Sequence, residues 1–269
     1  MNKKYRTFFG FQIEPFTNDL SIKDIIETTQ VKATGMRFNY AVDLGAVLVL
    51  TGEVGSGKST ALRYVTSQLH PSEYRTFYIT ASTGSILELY RMFLNELGME
   101  ATGFSRALMV KQIKKTILDL VRGKKLKLVL VIDEASLLRL EVFLELHTLC
   151  QFEMDSKPFL PIVLAGQSSL VDKLSYHGCL PFASRVVARS HLKAVDRQGL
   201  EEYLNHHLNV AGIDIPLFDD TAITAIYQGA GGLFRKTNHL ARGALIAAAK
   251  RQSQIVHSEH VRLATTEIF

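Results

Sequence analysis

The chain has 269 residues, 47% hydrophobic and 21% charged, which supports a globular core and argues against intrinsic disorder. Its longest apolar runs, such as 128–132 and 244–249, fall well short of the roughly 20 residues that span a bilayer. The basic start is interrupted by Gln12, Glu14 and Pro15 before any signal-like apolar run develops, so a cytoplasmic chain without a membrane anchor is expected. Lys and Arg outnumber Asp and Glu 31 to 26, giving a formal charge of +5 that permits nucleic-acid contact without requiring it.

In chain order, short β-rich runs fall at 46–50, 76–80, 126–133, 160–165 and 186–192, separated by helical patterns. That alternation predicts an α/β fold with a five-stranded parallel sheet sandwiched by helices. The near-continuous Val, Leu and Ile content of the first, third and fourth runs marks strands buried on both faces. Beyond about residue 192 strand patterns stop, and Asp196, Asp219 or Asp220, and Ser258 offer helix N-caps. The expected division is therefore an α/β domain over 1–193 and a smaller all-helical domain over 194–269. Cys150 and Cys179 lack CxxC or CxxH spacing, so neither a disulfide framework nor a zinc site is expected.

After the first strand come Gly52, Glu53, Val54, Gly55, Ser56, Gly57, Lys58, Ser59 and Thr60, and then an amphipathic segment over 61–69. In a GxxxxGK[ST] loop the glycines let backbone N–H groups turn around phosphates while the next helix points its positive end at them. Lys58 adds a point charge for the β and γ phosphates, and the Ser59 hydroxyl is placed to ligate Mg²⁺. The third strand ends in Asp133 and Glu134, where an Asp can hold the Mg²⁺ shell and a Glu can polarise a water. The same acids would also suit the N-terminus of a helix over 135–144. ATP and Mg²⁺ are thus the expected cofactors and ATP hydrolysis the expected reaction. GTPase signatures (DxxG with [NT]KxD) and an LSGGQ-like transporter signature are missing from the sequence.

Five motifs stand in order: Phe8-Phe9-Gly10-Phe11 with Pro15-Phe16, the loop through Thr60, Val131-Ile132-Asp133-Glu134-Ala135, Ala165-Gly166-Gln167, and Gly231-Gly232-Leu233-Phe234-Arg235. In these the chain resembles the AAA+ ATPases, in the group containing general secretion pathway protein A and the ATPase subunits that bacterial transposons carry beside their transposase. The resemblance implies a P-loop AAA+ fold with a helical lid, and an N-terminal segment over 1–20 lying near the nucleotide. It assigns Gln167 to the sensor that orients the attacking water, where Asn or Thr is commoner; a turn-forming role after Gly166 is the alternative. Arg185, with Arg189 as its rival, matches the arginine finger offered to a neighbouring subunit. Arg235, beside Lys236, matches the lid arginine that reaches the γ-phosphate. A nucleotide held between domains and subunits implies a homo-oligomeric ring or helical filament.

Between 108 and 122, Val110, Ile113, Ile117, Leu120 and Val121 form one helical stripe, and Lys111, Lys114, Lys115 and Arg122 share much of another. With Lys124, Lys125 and Lys127 close behind, Lys111, Lys114 and Lys115 are candidates for contact with a double-stranded DNA backbone, against the plainer reading of a solvated helix face. Two jobs follow. One is a transposition regulator that assembles on DNA with ATP, selects a target, recruits or stimulates a transposase, with a target-site protein as a further candidate partner, and disassembles on hydrolysis. The other is a secretion-pathway ATPase energising envelope assembly. The secretion family normally continues past its lid into a membrane-spanning helix and a periplasmic region, whereas this sequence ends at Phe269, which favours the transposition reading and leaves open a bare ATPase fragment of a secretion protein. A third, non-enzymatic class is a nucleotide-gated scaffold that binds ATP but scarcely turns over.

Overall fold

The computed structural model describes residues 2–100, 103 and 105–268; Met1 and Phe269, the outer ends of the two expected domains, lie outside the described residues. Five strands form, β1 (Val47–Gly52), β2 (Tyr74–Thr80), β3 (Lys127–Asp133), β4 (Ile162–Gly166) and β5 (Val186–Leu192). Twelve α-helices accompany them among the described residues. They are α1 (Asn2–Phe9), α2 (Thr29–Asp43), α3 (Lys58–Ser67), α4 (Ile86–Glu96), α5 (Arg106–Leu118), α6 (Leu140–Leu149), α7 (Ser169–Ser175), α8 (Leu180–Ala183), α9 (Arg197–Val210), α10 (Asp220–Ala230), α11 (Phe234–Lys250) and α12 (Ser258–Ile268). The chain divides into two compact units: Thr28–Gly52 with Lys58–Leu192, and Met1–Glu27 with Glu53–Gly57 and Lys193–Phe269.

The first unit is the sheet with α2 to α8. Strand order is β2-β3-β4-β1-β5, and every pairing is parallel. Alternation explains why the middle strands read as unbroken apolar runs. Val47 and Val49 of β1 enter one core with Leu128, Leu130 and Ile132 of β3. Leu48 and Leu50 enter the opposite core with Val129, Val131 and α3 residues Leu62 and Val65. Both faces are covered, so both registers must be apolar. β2, at the edge, buries only Phe77 and Ile79 on one face and turns Tyr78 and Thr80 outward on the other.

Two helical patterns resolve differently from the expectation. The helix over 108–122 ends at Leu118 and passes into a π turn, Asp119–Gly123; within α5 the buried stripe is Met109, Ile113 and Ile117, with Val110 at its margin, and the extra residue of the π turn moves Leu120 and Val121 off the helical register to pack at the margin as well. The helix expected over 135–144 breaks into a 3₁₀ turn, Ala135–Leu137, and a separate α6. Lys173 Nζ causes the break to persist by donating to the carbonyls of Ser136 (2.7 Å) and Leu138 (2.8 Å).

The second unit buries Leu200, Leu204 and Leu208 of α9, Ile223 and Ile226 of α10, and Leu240, Ala244 and Leu245 of α11 around one core. Asp196 and Asp219 cap α9 and α10 by accepting from Gly199 N and Ala222 N, while Ser258 is the first residue of α12 rather than its cap. The N-terminal segment, expected to go with the sheet, belongs here. Tyr5, Phe9, Phe11 and Phe16 are buried in the helical core, Gln12 N donates to Ala211 O at 2.9 Å, and Phe16 stacks on His207 at 5.2 Å. The aromatic residues that make the FFG and PF motifs conspicuous are thus packing groups. Cys150 and Cys179 are buried and free, and burial pushes the Cys150 thiol up to about 12, so it stays protonated and unreactive.

Candidate functional site

β1 delivers the chain to Gly52, and α3 opens at Lys58. Between them, Gly55 and Gly57 adopt φ of 86° and 93°, a region open to glycine and strained for side chains. Lys58 is buried, with Nζ donating to Gly52 O at 2.9 Å. The first turn of α3 aims Ser59 at the end of β3, where Ser59 Oγ donates to Asp133 Oδ2 at 2.7 Å. Val54 and Thr60 are exposed. In the second unit, the Glu53–Gly57 turn closes through Ser56 N donating to Glu53 O, and the buried Ser56 hydroxyl has no hydrogen-bond partner among the described residues. Arg235 N donates to Gly55 O at 3.3 Å, and a Cβ on Gly55 would stand 2.8 Å from Arg235 Cβ. Arg235 therefore opens α11 directly beside the outer arm of the loop, with its side chain exposed, as is that of Lys236.

Asp133 is 3% exposed at the last position of β3. Its Oδ2 accepts from Ser59 and from Tyr78 Oη (2.8 Å), and its Oδ1 accepts from Glu134 N (2.8 Å). Glu134 sits in the left-handed region, φ 52° and ψ 30°, a conformation costing a non-glycine residue roughly 1–2 kcal/mol. Such strain marks positions whose side-chain direction matters. The turn that follows is locked against β4: a Cβ on Gly166 would meet Ser136 N at 2.8 Å, and Gln167 N donates to Ser136 Oγ at 3.4 Å. The carboxyl ends of β1, β3 and β4 thus converge Lys58, Ser59, Asp133, Glu134 and Gln167 on one edge of the sheet.

That donor set suits Mg²⁺. A hydroxyl and a carboxylate are hard oxygen ligands, and Mg²⁺ takes one or two from protein and the rest from phosphate and water. The orphaned Ser56 hydroxyl and the glycine conformations of the loop fit a phosphate ligand in the same way.

The remaining expected site residues are placed differently. Arg185, just before β5, is occupied within its own chain: Nε donates to His147 Nδ1 (3.1 Å) and Nη2 to Asp155 Oδ1 (2.6 Å). Asp155 ends a run of three left-handed residues, Glu153, Met154 and Asp155. Arg189 is exposed on β5. The basic face of α5 is corrected at Lys114, whose Nζ donates to Thr148 O and Gln151 O, both at 2.9 Å, and lies 5.5 Å from the Phe152 ring centre. It caps the C-terminal carbonyls of α6, where a cation is favoured, and burial lowers its pKa. Lys111 and Lys115 remain exposed. The sequence reading missed Tyr78, Lys173, His147 and Asp155. For Tyr78 a signal existed, since an aromatic on the outward face of an edge strand, two residues before its end, can reach the neighbouring strand's terminal acid.

Two comparisons bear on the whole arrangement. The family model described as AAA domain matches residues 43–174. General secretion pathway protein A from Aeromonas hydrophila is 32% identical over 98% of this chain. The chain belongs to the AAA+ proteins. Within them it falls in the group that holds general secretion pathway protein A, and it spans about half of that relative's length, 48%. Solved structures show the same AAA+ fold at lower identity. Cdc6p from Pyrobaculum aerophilum superposes with a TM-score of 0.75 at 14% identity, over 94% of this chain and 70% of that one. ORC1 of Aeropyrum pernix, solved in complex with DNA, gives 0.70 at 17% identity over 94% and 68%. The RuvB Holliday junction branch migration motor of Thermotoga maritima gives 0.59 at 17% over 94% and 73%.

Proposed function

We propose that this AAA+ protein binds ATP with Mg²⁺, hydrolyses it, and serves as the nucleotide-driven component of a general secretion pathway. The observation that carries the reading is the 32% identity to general secretion pathway protein A across nearly all of this chain, joined to the Ser59–Asp133 pair at the end of β3. In this reading the backbone of 52–57 and Lys58 hold the phosphates, and Ser59 and Asp133 hold the cation. Bound Mg²⁺ would supply positive charge that offsets the charge developing on the phosphates as the γ-phosphoryl group transfers. Glu134 accepts a proton from the water whose oxygen attacks the γ-phosphorus while the bond to the β–γ bridging oxygen breaks. Gln167 orients that water. By the family resemblance Arg235 is the lid arginine, and Arg185 serves a neighbouring subunit's nucleotide once released from Asp155. The working form is then a homo-oligomer, a ring or filament, in the cytoplasm; no helix among the described residues is long and apolar enough to cross a membrane.

The relative found favours secretion over the transposition regulator. Because this chain spans half of that relative, its end at Phe269 does not weigh against secretion. Engagement of Lys114 also removes one of the three lysines on which the DNA contact relied. The test is a host strain lacking the gene, complemented with the unsubstituted protein or with Lys58→Ala. Export should fail in the deletion and in the Lys58→Ala strain and recover with the unsubstituted protein. Normal export in the deletion strain, with ATP-dependent and salt-sensitive assembly of the purified protein on duplex DNA, would replace this reading with transposition.

A further inference from the structure

Asp133 is more heavily held than a metal-binding carboxylate needs to be for phosphate chemistry alone. Three donors reach its two oxygens: Ser59 Oγ at 2.7 Å, Tyr78 Oη at 2.8 Å and Glu134 N at 2.8 Å. They are not equivalent. Ser59 can offer a lone pair to a cation while its proton stays on the carboxylate, so it would serve both as ligand and as donor. Glu134 N belongs to the next residue in the chain and holds Oδ1. Tyr78 Oη alone comes from another strand and holds Oδ2, the oxygen that Ser59 shares.

The sheet register explains the reach. β2 pairs with β3 so that Thr80 stands opposite Asp133 and Tyr78 opposite Val131. Side chains two residues apart share a face, so Tyr78, Val131 and Asp133 all project toward the side covered by α3. A residue directly opposite Asp133 with a short side chain, as Thr80 has, leaves the diagonal open, and the long rigid tyrosine crosses it. The ring is otherwise poorly placed for packing: Tyr78 is 45% exposed, unlike its neighbours Phe77 and Ile79, which point into the opposite core.

We propose that Tyr78 is a positioning residue for the metal site: its hydroxyl fixes the rotamer of Asp133 so that one carboxylate oxygen faces the cation that accompanies ATP. The proposal rests on the ATP–Mg²⁺ reading above. Donors that orient a ligating carboxylate commonly change metal affinity roughly 10–100-fold when removed, and partial exposure places Tyr78 at the lower end.

The experiment is a titration of Mg²⁺ against binding of a fluorescent ATP analogue to the purified chain, with the unsubstituted protein, Tyr78→Phe and Tyr74→Phe side by side. Tyr74 lies on the same strand but its hydroxyl meets Lys127 Nζ. Thermal unfolding without nucleotide and nucleotide affinity in EDTA are measured on each. The expected result is a Mg²⁺ midpoint about tenfold higher for Tyr78→Phe, with unfolding temperature and EDTA affinity unchanged and Tyr74→Phe matching the unsubstituted protein. Equal midpoints for Tyr78→Phe and the unsubstituted protein overturn the positioning role and leave the ATP–Mg²⁺ reading standing. No tightening by Mg²⁺ in the unsubstituted protein overturns that reading and this proposal with it.

Discussion

The carboxyl edge of the sheet and the basic flank of α5 both concentrate polar side chains, yet they are built on opposite terms. At the sheet edge, Asp133, Lys58 and Ser136 are buried and polar groups turn toward one another: Asp133 accepts from Ser59 and Tyr78, Gly166 gives way to the Ser136 turn, and Glu134 is held in a strained left-handed conformation. On α5, Lys111 and Lys115 point to solvent while Lys114 leaves their company to cap α6. Convergent, buried and strained polar groups carry a cost that only a ligand or a reaction recovers, whereas exposed lysines carry almost none. A charged stripe is therefore weak evidence of a partner.

Substitutions can break this contrast. Lys58→Ala should have the largest effect, weakening ATP binding on the order of 100-fold or more, because it removes a buried cation from the phosphate loop; equilibrium nucleotide binding checks it. Gly166→Ala should destabilise the sheet unit by about 1–3 kcal/mol, since the new Cβ would overlap Ser136 N, and should displace the turn carrying Glu134; denaturant unfolding and turnover measured together test both halves. Lys114→Met should cost about 1–2 kcal/mol through two unsatisfied carbonyls, while Lys111→Met and Lys115→Met stay within about 0.5 kcal/mol. Three equal losses would mean that Lys114 is as dispensable as its neighbours.

The smallest effect concerns the helical unit. His207 is buried between Phe16 and Tyr203 with Nε2 unpartnered, and burial lowers its pKa from 6.5 to about 3. The unfolded chain takes up a proton near pH 6.5 that the folded chain refuses, so this group removes stability as pH falls from about 6.5 toward 3. His207→Phe keeps the stacking and deletes the titration. Its stability loss between pH 6.5 and 5 should be smaller by about 1–2 kcal/mol; an unchanged pH slope would show that His207 titrates normally in the fold.

Much of the sheet edge was legible beforehand because chemistry dictates residue types at fixed spacing. A phosphate loop needs its glycines and lysine, and a doubly covered strand needs both faces apolar, so β1, β3, Lys58 and Asp133 could be read directly. Gln167 and Arg235 were reached through family resemblance alone. The features that stayed hidden depend on three-dimensional partners with no periodic signature. Alternation in β2 says that Tyr78 points outward, where it could reach a neighbouring strand's terminal acid, but which strand lies beside β2, and in what register, is fixed only by the fold. The π turn at Asp119–Gly123 shifts a stripe that looked continuous. The N-terminal aromatics, conspicuous as a motif, fill the helical core.

The most direct test of the sheet-edge site compares ATP turnover by the unsubstituted protein and Glu134→Gln, with nucleotide binding measured on both. Binding should be retained and turnover should fall about 100-fold or more, the contribution expected of a general base. Equal turnover by the two proteins would contradict the assignment of Glu134 and with it the reading of this edge as the hydrolytic centre.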